Sequence, residues 1–230
     1  MTVFLGFDTS IYPGDAKMEL LRQQGNVAFT GFYLGPAPSH EDSSWMGNRQ
    51  KLQDLGYGFA PIYVGRQQSG PGQHILTADQ GTADGQNAVQ LAGDAGFPEH
   101  SVLYLDIESG PPIQQKTLDY YKIWVEAVAQ GNFTPGVYCS HLIAAEVLAA
   151  DPRPVPWVFR LLFNAGHIFN LPLPVPDPSS RAGFSDAQVL QYAQNCIVSV
   201  GGTTIKPADL DTALTADPSS PGDGSAEPET

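Results

Sequence analysis

The stretch SVLYLDIESG, residues 101–110, sets two carboxylates at the end of an otherwise apolar run. Val102, Leu103, Leu105 and Ile107 mark a buried β-strand, and a strand turns alternate side chains to opposite faces. Asp106 and Glu108 therefore share one face, with Tyr104 beneath them, while Leu103, Leu105 and Ile107 take the other. Two like charges on one face repel, and in a low-dielectric site one of them must raise its pKa. Folding alone does not ask for such a pair. Hydrolysis by a proton donor does.

Outward from this strand the chain repeats one unit. VFLGFD (3–8), VAFTGFYLG (27–35) and GFAPIYVG (58–65) read as strands before it, and TPGVYCS (134–140) as the strand after it. Between them lie helical segments: 15–25, with Asp15 as N-cap and Gly25 as stop, one near 44–55, one near 82–95, the amphipathic QQKTLDYYKIWVEAVAQG (114–131), and HLIAAEVLAA (141–150). After Pro152 the rhythm changes. PWVFRLLF (156–163) reads as a sixth strand, a Pro-rich irregular stretch runs to about residue 180, and AQVLQYAQ (187–194) reads as a seventh. GTTIKPADLDTAL (202–214) supplies an eighth around Ala208 to Asp211. Alternating strands and helices predict an α/β fold with a parallel sheet, and eight strands predict closure into a TIM-like barrel: five βα units, then three strands with few helices. The barrel is expected over residues 1–214, and 215–230, rich in Pro, Gly, Ser and acid, as a disordered tail.

Composition excludes several classes of partner. The 230 residues carry 24 acids against 11 Lys and Arg, a net charge of −13, which argues against nucleic acid and against adhesion to anionic membranes. No run approaches the roughly 20 apolar residues of a membrane span. The opening MTVFLGFDTS lacks the basic residues and long apolar core of a signal peptide, so synthesis in the cytoplasm without an export address is expected. Cys139 and Cys196 lie in no CxxC; two buried free thiols are expected, with a disulfide as the alternative. His40, His74, His100 and His167 sit in loops without metal spacing, and His141 reads as a helix-cap or surface residue. There is no GxSxG and no P-loop, so no metal and no cofactor is expected.

In a parallel barrel the C-terminal strand ends converge on one mouth. Strand one ends in Asp8, strand four in Asp106 and Glu108, and the last strand carries Asp209 and Asp211. Tyr33, Tyr63, Tyr138 and Tyr192 lie in or at the ends of strands two, three, five and seven. An acidic cluster ringed by tyrosines suits a sugar: carboxylates protonate the leaving oxygen and stabilise an oxocarbenium-like centre, and aromatic faces stack on pyranose rings. Each residue also has a plain structural role open to it: loop hydrogen bonding for Asp8, a turn cap for Asp209, core or rim packing for each tyrosine. Arg160 either enters the barrel and pairs with an acid or extends outward.

GFDTS, APIYVGRQ, LYLDIES and GVYCS, in this order, resemble the bacterial glycoside-hydrolase-like family known as domain of unknown function 1906, itself similar to the family-25 glycoside hydrolases, the lysozymes of phage, bacteria and fungi. LQYAQNCIVSVGGTTIKPADLDTA resembles the family-25 ending. The resemblance covers residues 3 to about 214 and implies an eight-stranded barrel with helices around the first five strands. It implies Glu108 as general acid, raised by Asp106 and burial, with Asp106, Asp8 and Asp209 positioning or stabilising the reacting sugar. Tyr33, Tyr63, Tyr138, Tyr192, Arg160 and Asp211 are the expected substrate contacts; Asp211 stands where family 25 often has Asn. The expected activity is cleavage of β-1,4 bonds in an amino-sugar polymer, peptidoglycan foremost, by a monomer that a delivery machinery or phage lysis system carries to the wall. The rivals are a non-catalytic glycan-binding or cargo module, which a cation neutralising Glu108 would favour, and a cytoplasmic enzyme on another sugar.

Overall fold

The computed structural model describes residues 2–160 and 165–220. In chain order the elements are β1 (Phe4–Asp8), α1 (Asp15–Gln24), β2 (Val27–Tyr33), α2 (Arg49–Asp54), β3 (Gly58–Tyr63), α3 (Ala78–Asp94), β4 (Val102–Ile107), α4 (Gln115–Gln130), β5 (Thr134–Ser140), α5 (Ala144–Ala150), β6 (Val155–Phe159), β7 (Ile168–Asn170), α6 (Pro178–Arg181), β8 (Val189–Val200) and β9 (Thr203–Ala213). β1 through β6 pair in sequence, β6 also pairs with β8, and β9 joins β8 to β1. The result is a closed eight-stranded barrel with β7 outside it, on the far half of β8.

Seven of the barrel strands run parallel, as the alternation predicts. The last does not: β9 is antiparallel to both β8 and β1. The reason lies in its connection. Gly201 and Gly202, at φ 55 and 79, form a two-residue turn between Val200 and Thr203, and a connection this short permits only an antiparallel return. The sixth strand ends at Phe159, four residues before the expected end; Leu161, Leu162 and Phe163 lie outside the described residues. α1 begins at Asp15 with Gly14 as its N-cap, so Asp15 does not cap but pairs from the first turn with Lys51 at 2.7 Å.

Alternation along each strand divides the apolar residues into two cores. Outward-facing Leu103, Leu105 and Ile107 pack with Val137, Tyr121, Trp124 and Val128 in the layer beneath the helices. α4 supplies that layer because Leu118, Tyr121, Trp124, Val125 and Val128 recur at helical spacing and are all buried. Inward-facing Phe29, Ala60, Ile62, Tyr104, Trp157 and Val189 fill the barrel. Each fully buried large side chain contributes about 1.5–3 kcal/mol. Cys139 and Cys196 are buried free thiols.

The base of the barrel is closed by residues expected in the tail. Phe59 N–H donates to Asp217 Oδ1 at 2.9 Å, Tyr104 Oη to the Pro218 carbonyl at 3.0 Å, and Val102 N–H to the Ser219 carbonyl at 2.7 Å. This short run, expected within the tail, satisfies donors that the strand starts leave open. Residues 221–230 lie outside the described residues.

Candidate active site

The inward face that carries apolar residues at the base carries acids at the mouth. On β1 and β9 the register sets Asp8 directly opposite Asp209, and Gly6 opposite Asp211. On β4, Asp106 follows Tyr104 inward, and Glu108 stands just past the strand's last residue. Asp8, Asp106 and Asp211 are buried, whereas Glu108 is exposed. Gly31 on β2 makes room for Asp8: a Cβ there would lie 2.5 Å from Asp8 Cβ.

Hydrogen bonds order the acids into one network. Tyr33 Oη donates to Asp8 Oδ1 at 2.7 Å. Gln191 Nε2 donates to Asp8 Oδ2 at 3.3 Å and to Asp209 Oδ2 at 2.6 Å, while its Oε1 accepts from Tyr138 Oη at 2.7 Å and Gln194 Nε2 at 2.8 Å. The Asn195 backbone N–H donates to Asp209 Oδ1 at 2.6 Å. Gln191 is thus the hub of the mouth. Sequence reading misses it, although a glutamine at an inward position of an apolar strand is itself a signal.

Among the described residues, no Lys or Arg forms an ion pair with these five carboxylates; the cations pair elsewhere, with Asp15, Asp84, Asp119, Glu126 and Asp151. Loss of water around the carboxyls, without a counter-charge, drives every one of the five upward. Asp209 is pushed to about 8 by burial and then by the charge of Asp8. Asp8 rises by burial against the lowering donation of Tyr33. Asp106 and Asp211 rise further, by burial first, Asp106 then through Glu108 and Asp8, and Asp211 through Asp8 and Asp209. Glu108 rises because the walls of the cleft strip water from its carboxyl, and Asp8 adds its charge. The charge that adds to burial at Glu108 is Asp8, where Asp106 was expected; Asp106 is itself raised well above the ordinary range, by burial first and then by Glu108 and Asp8.

Glu108 stands where two pockets meet. One, of about 180 Å³, is lined by Asp8, Asn195, Pro207 and Asp209; the other, of about 270 Å³, by Ser39, His40, Gln67 and Asp106; Ser10, Tyr33 and Glu108 border both. The groove this makes leaves space on either side of Glu108. Tyr138 borders neither pocket; its ring packs on Trp157 in the barrel core at 5.0 Å.

The remaining expected contacts lie elsewhere. Tyr63 is on the outward face of β3, where its hydroxyl donates to Asn87 at 3.0 Å and its ring faces Trp124; Ala60 and Ile62 take the inward positions. Tyr192 packs against the outer core. Arg160 follows inward Phe159 and so points out, with Nη1 donating to the Arg181 carbonyl at 3.1 Å; it lines an outer pocket with Tyr192. Asp211 is fully buried beneath Asp8 and Asp209, out of reach of a bound sugar. Among the described residues, no group of three or more His, Cys, Asp or Glu side chains could hold a metal ion.

Comparison with known proteins follows the same lines. The profile of the family described as Rv2525c-like, glycoside hydrolase-like domain, matches residues 21–211. No curated protein matches the chain. Among solved structures, the Mycobacterium tuberculosis Tat-secreted protein Rv2525c is 16% identical, with 93% of this chain and 95% of that one covered at a TM-score of 0.61. The catalytic domain of an endolysin from a Listeria monocytogenes bacteriophage is 16% identical, covering 93% and 94%, at 0.62. A family 25 glycosyl hydrolase from Bacillus anthracis is 14% identical, covering 92% and 89%, at 0.58. At these identities the likeness is one of fold.

Proposed function

The chain belongs to the Rv2525c-like glycoside hydrolase-like domain family, and from that footing we propose that it is a glycoside hydrolase cleaving β-1,4 linkages of an amino-sugar polymer, peptidoglycan foremost. The observation that carries the reading is the setting of Glu108: a carboxyl raised above its ordinary range, at the junction of two pockets, with no ion pair to any Lys or Arg of the described residues. A carboxyl so placed keeps a proton to give to a leaving oxygen, and a bond within a polymer needs sugar on both sides of it. Asp8, oriented by Tyr33 and Gln191, and Asp209, held by Gln191 and Asn195, face the adjoining pocket, where Asp8 in its ionised form would stabilise positive charge at the anomeric carbon and Asp209, pushed up to about 8, would position the sugar by hydrogen bonding. Asp106 lies buried behind Glu108, so that Glu108 is the carboxyl of the pair that reaches the groove and takes the role of donor. The fold shared with a phage endolysin and a family 25 glycosyl hydrolase supports the substrate class.

By this reading the protein works at the wall as a monomer, brought there by a delivery machinery or a phage lysis system; no helix among the described residues is long and apolar enough to cross a membrane.

The test is release of reducing ends from purified peptidoglycan, with chitin oligomers alongside. Glu108→Gln keeps the shape and removes the proton, and should lower the rate about a hundredfold to ten-thousandfold. Binding without release by both proteins would leave a glycan-binding module in place of the enzyme.

A further inference from the structure

We infer that Gln67 is a positioning residue that holds the backbone of the Asp106–Glu108 segment by taking, with its side-chain amide, the place of a missing β-strand residue. The inference rests on the glycosidase reading for its purpose, though not for its geometry.

β3 pairs with β4 only through Ile62↔Tyr104 and Tyr63↔Leu105. Continued in register, Gly65 would come opposite Ile107. It does not: Gly65 N–H turns back to the Tyr63 carbonyl at 3.0 Å, and the Val64 carbonyl accepts from Ser39 N–H at 3.1 Å, so the strand has left the sheet. On that side the Asp106 carbonyl and the Glu108 N–H would be left without a ladder partner. Gln67 supplies one. Its Nε2 donates to the Asp106 carbonyl at 2.9 Å and its Oε1 accepts from the Glu108 N–H at 3.1 Å. A residue in a parallel ladder makes this same pair of bonds, to the carbonyl before and the N–H after the residue it faces. The carboxamide is a peptide group in miniature, and here it extends the β3–β4 ladder by one step while the β3 backbone swings aside. The pocket lined by Val64, Gln67, Asp106 and Glu108 occupies the space so opened.

The neighbours of Gln67 keep it there. The side chain is buried, at 2% exposure. Its own N–H donates to the Gln73 carbonyl at 2.8 Å, and its carbonyl bonds His74 Nδ1 at 2.9 Å. Before it, Arg66 Nε pairs with Asp84 at 2.8 Å, and Tyr120 Oη also donates to that carboxylate at 2.8 Å. After it, Gln68 repeats the device on the loop that follows Glu108: Nε2 donates to the Pro112 carbonyl at 3.1 Å, and Oε1 accepts from Gln114 N–H at 2.7 Å and Thr117 Oγ1 at 3.1 Å. Three consecutive side chains thus fasten the β3 loop to α3, to β4 and to the β4–α4 loop. Glu108, one residue beyond its strand, is thereby held in strand geometry beside an open groove.

The experiment is amide hydrogen exchange of the full chain, read by NMR at Glu108, in the wild type, in Gln67→Met, which keeps volume without either bond, and in Gln67→Asn, too short to span both groups. Protection of the Glu108 amide should fall about tenfold or more in both variants while β5 amides keep theirs. With peptidoglycan as substrate, kcat should fall about tenfold or more with KM changed less than about threefold, and the limb of the pH profile set by Glu108 should move. Unchanged Glu108 protection in both variants would overturn the inference, as would an unaltered kcat and pH profile in an active enzyme. Should the wild type cleave nothing, the glycosidase reading fails alone, and the exchange result still decides whether Gln67 holds the segment.

Discussion

At the scale of the residue, burial raises the carboxyls of the mouth, and this makes stability depend on pH in the opposite sense to a salt-bridged carboxylate. Asp209 holds its proton to about 8 in the folded protein, whereas an aspartate in the unfolded chain loses it near 3.9. Between those limits the unfolded chain binds fewer protons, so stability falls as pH rises, with no penalty below the lower limit and the full penalty above the upper. The Tm of Asp209→Asn should therefore fall less than that of the wild type between about pH 5 and about pH 8, each kcal/mol of relief being worth about 2–4 °C. Parallel declines in the two proteins would mean that Asp209 is already ionised when folded. Asp8, Asp106 and Glu108 are legible from sequence because each lies near a strand end at the mouth, and Asp209 because it falls in the expected last strand. Tyr63 and Tyr192 mislead because both faces of a barrel strand are buried, so burial does not reveal which way a side chain points. Gln67 and Gln191 are hidden for another reason: their partners are distant in the chain, as with Gln191 and Asp8, 183 residues apart.

At the scale of the element, the β8–β9 hairpin determines where the last acids stand. Because β9 returns antiparallel, Asp209 reaches the mouth from the middle of its strand, with the residues before it, 203–208, still paired to the extension of β8. The turn depends on backbone conformation alone: Gly202 has φ +79 and nothing within 4 Å of a Cβ added there. Gly202→Ala should cost about 1–2 kcal/mol, read as a lower urea midpoint at unchanged slope, and Gly202→Asn should cost less. Equal costs would show that something other than backbone strain is at work. Two glycines between SV and TT are a hairpin signal in the sequence. Strand-helix alternation, which predicts a parallel sheet, masks that signal, and the short β7 is hidden in the Pro-rich stretch.

At the scale of the molecule, the barrel has an acidic end and a sealed end. The strand-helix alternation gave the barrel its expected form, but the seal was unreadable, since Ala216 to Ser220 is polar and Pro-rich and earns its place only through three hydrogen bonds to strands far away in sequence. A chain ending at Leu214 would leave the Phe59 and Val102 N–H groups and the Tyr104 hydroxyl without these partners. It should lose about 3 kcal/mol or more in urea unfolding, while Asp217→Ala, which removes the acceptor of the Phe59 N–H and of the Ser219 N–H and hydroxyl, should lose about 1–2 kcal/mol. Loss of nothing in either protein would make the seal ornamental.

The same geometry bears on how the molecule can be joined to anything else. Phe4 pairs with Ala213, so the first strand begins where the last one finishes, and the chain beyond Ala213 runs across the sealed end. A bead, a surface or a fused protein joined next to Phe4 or at Ser220 would grip the molecule from behind. The groove would then face outward, free to meet a polymer too large to diffuse.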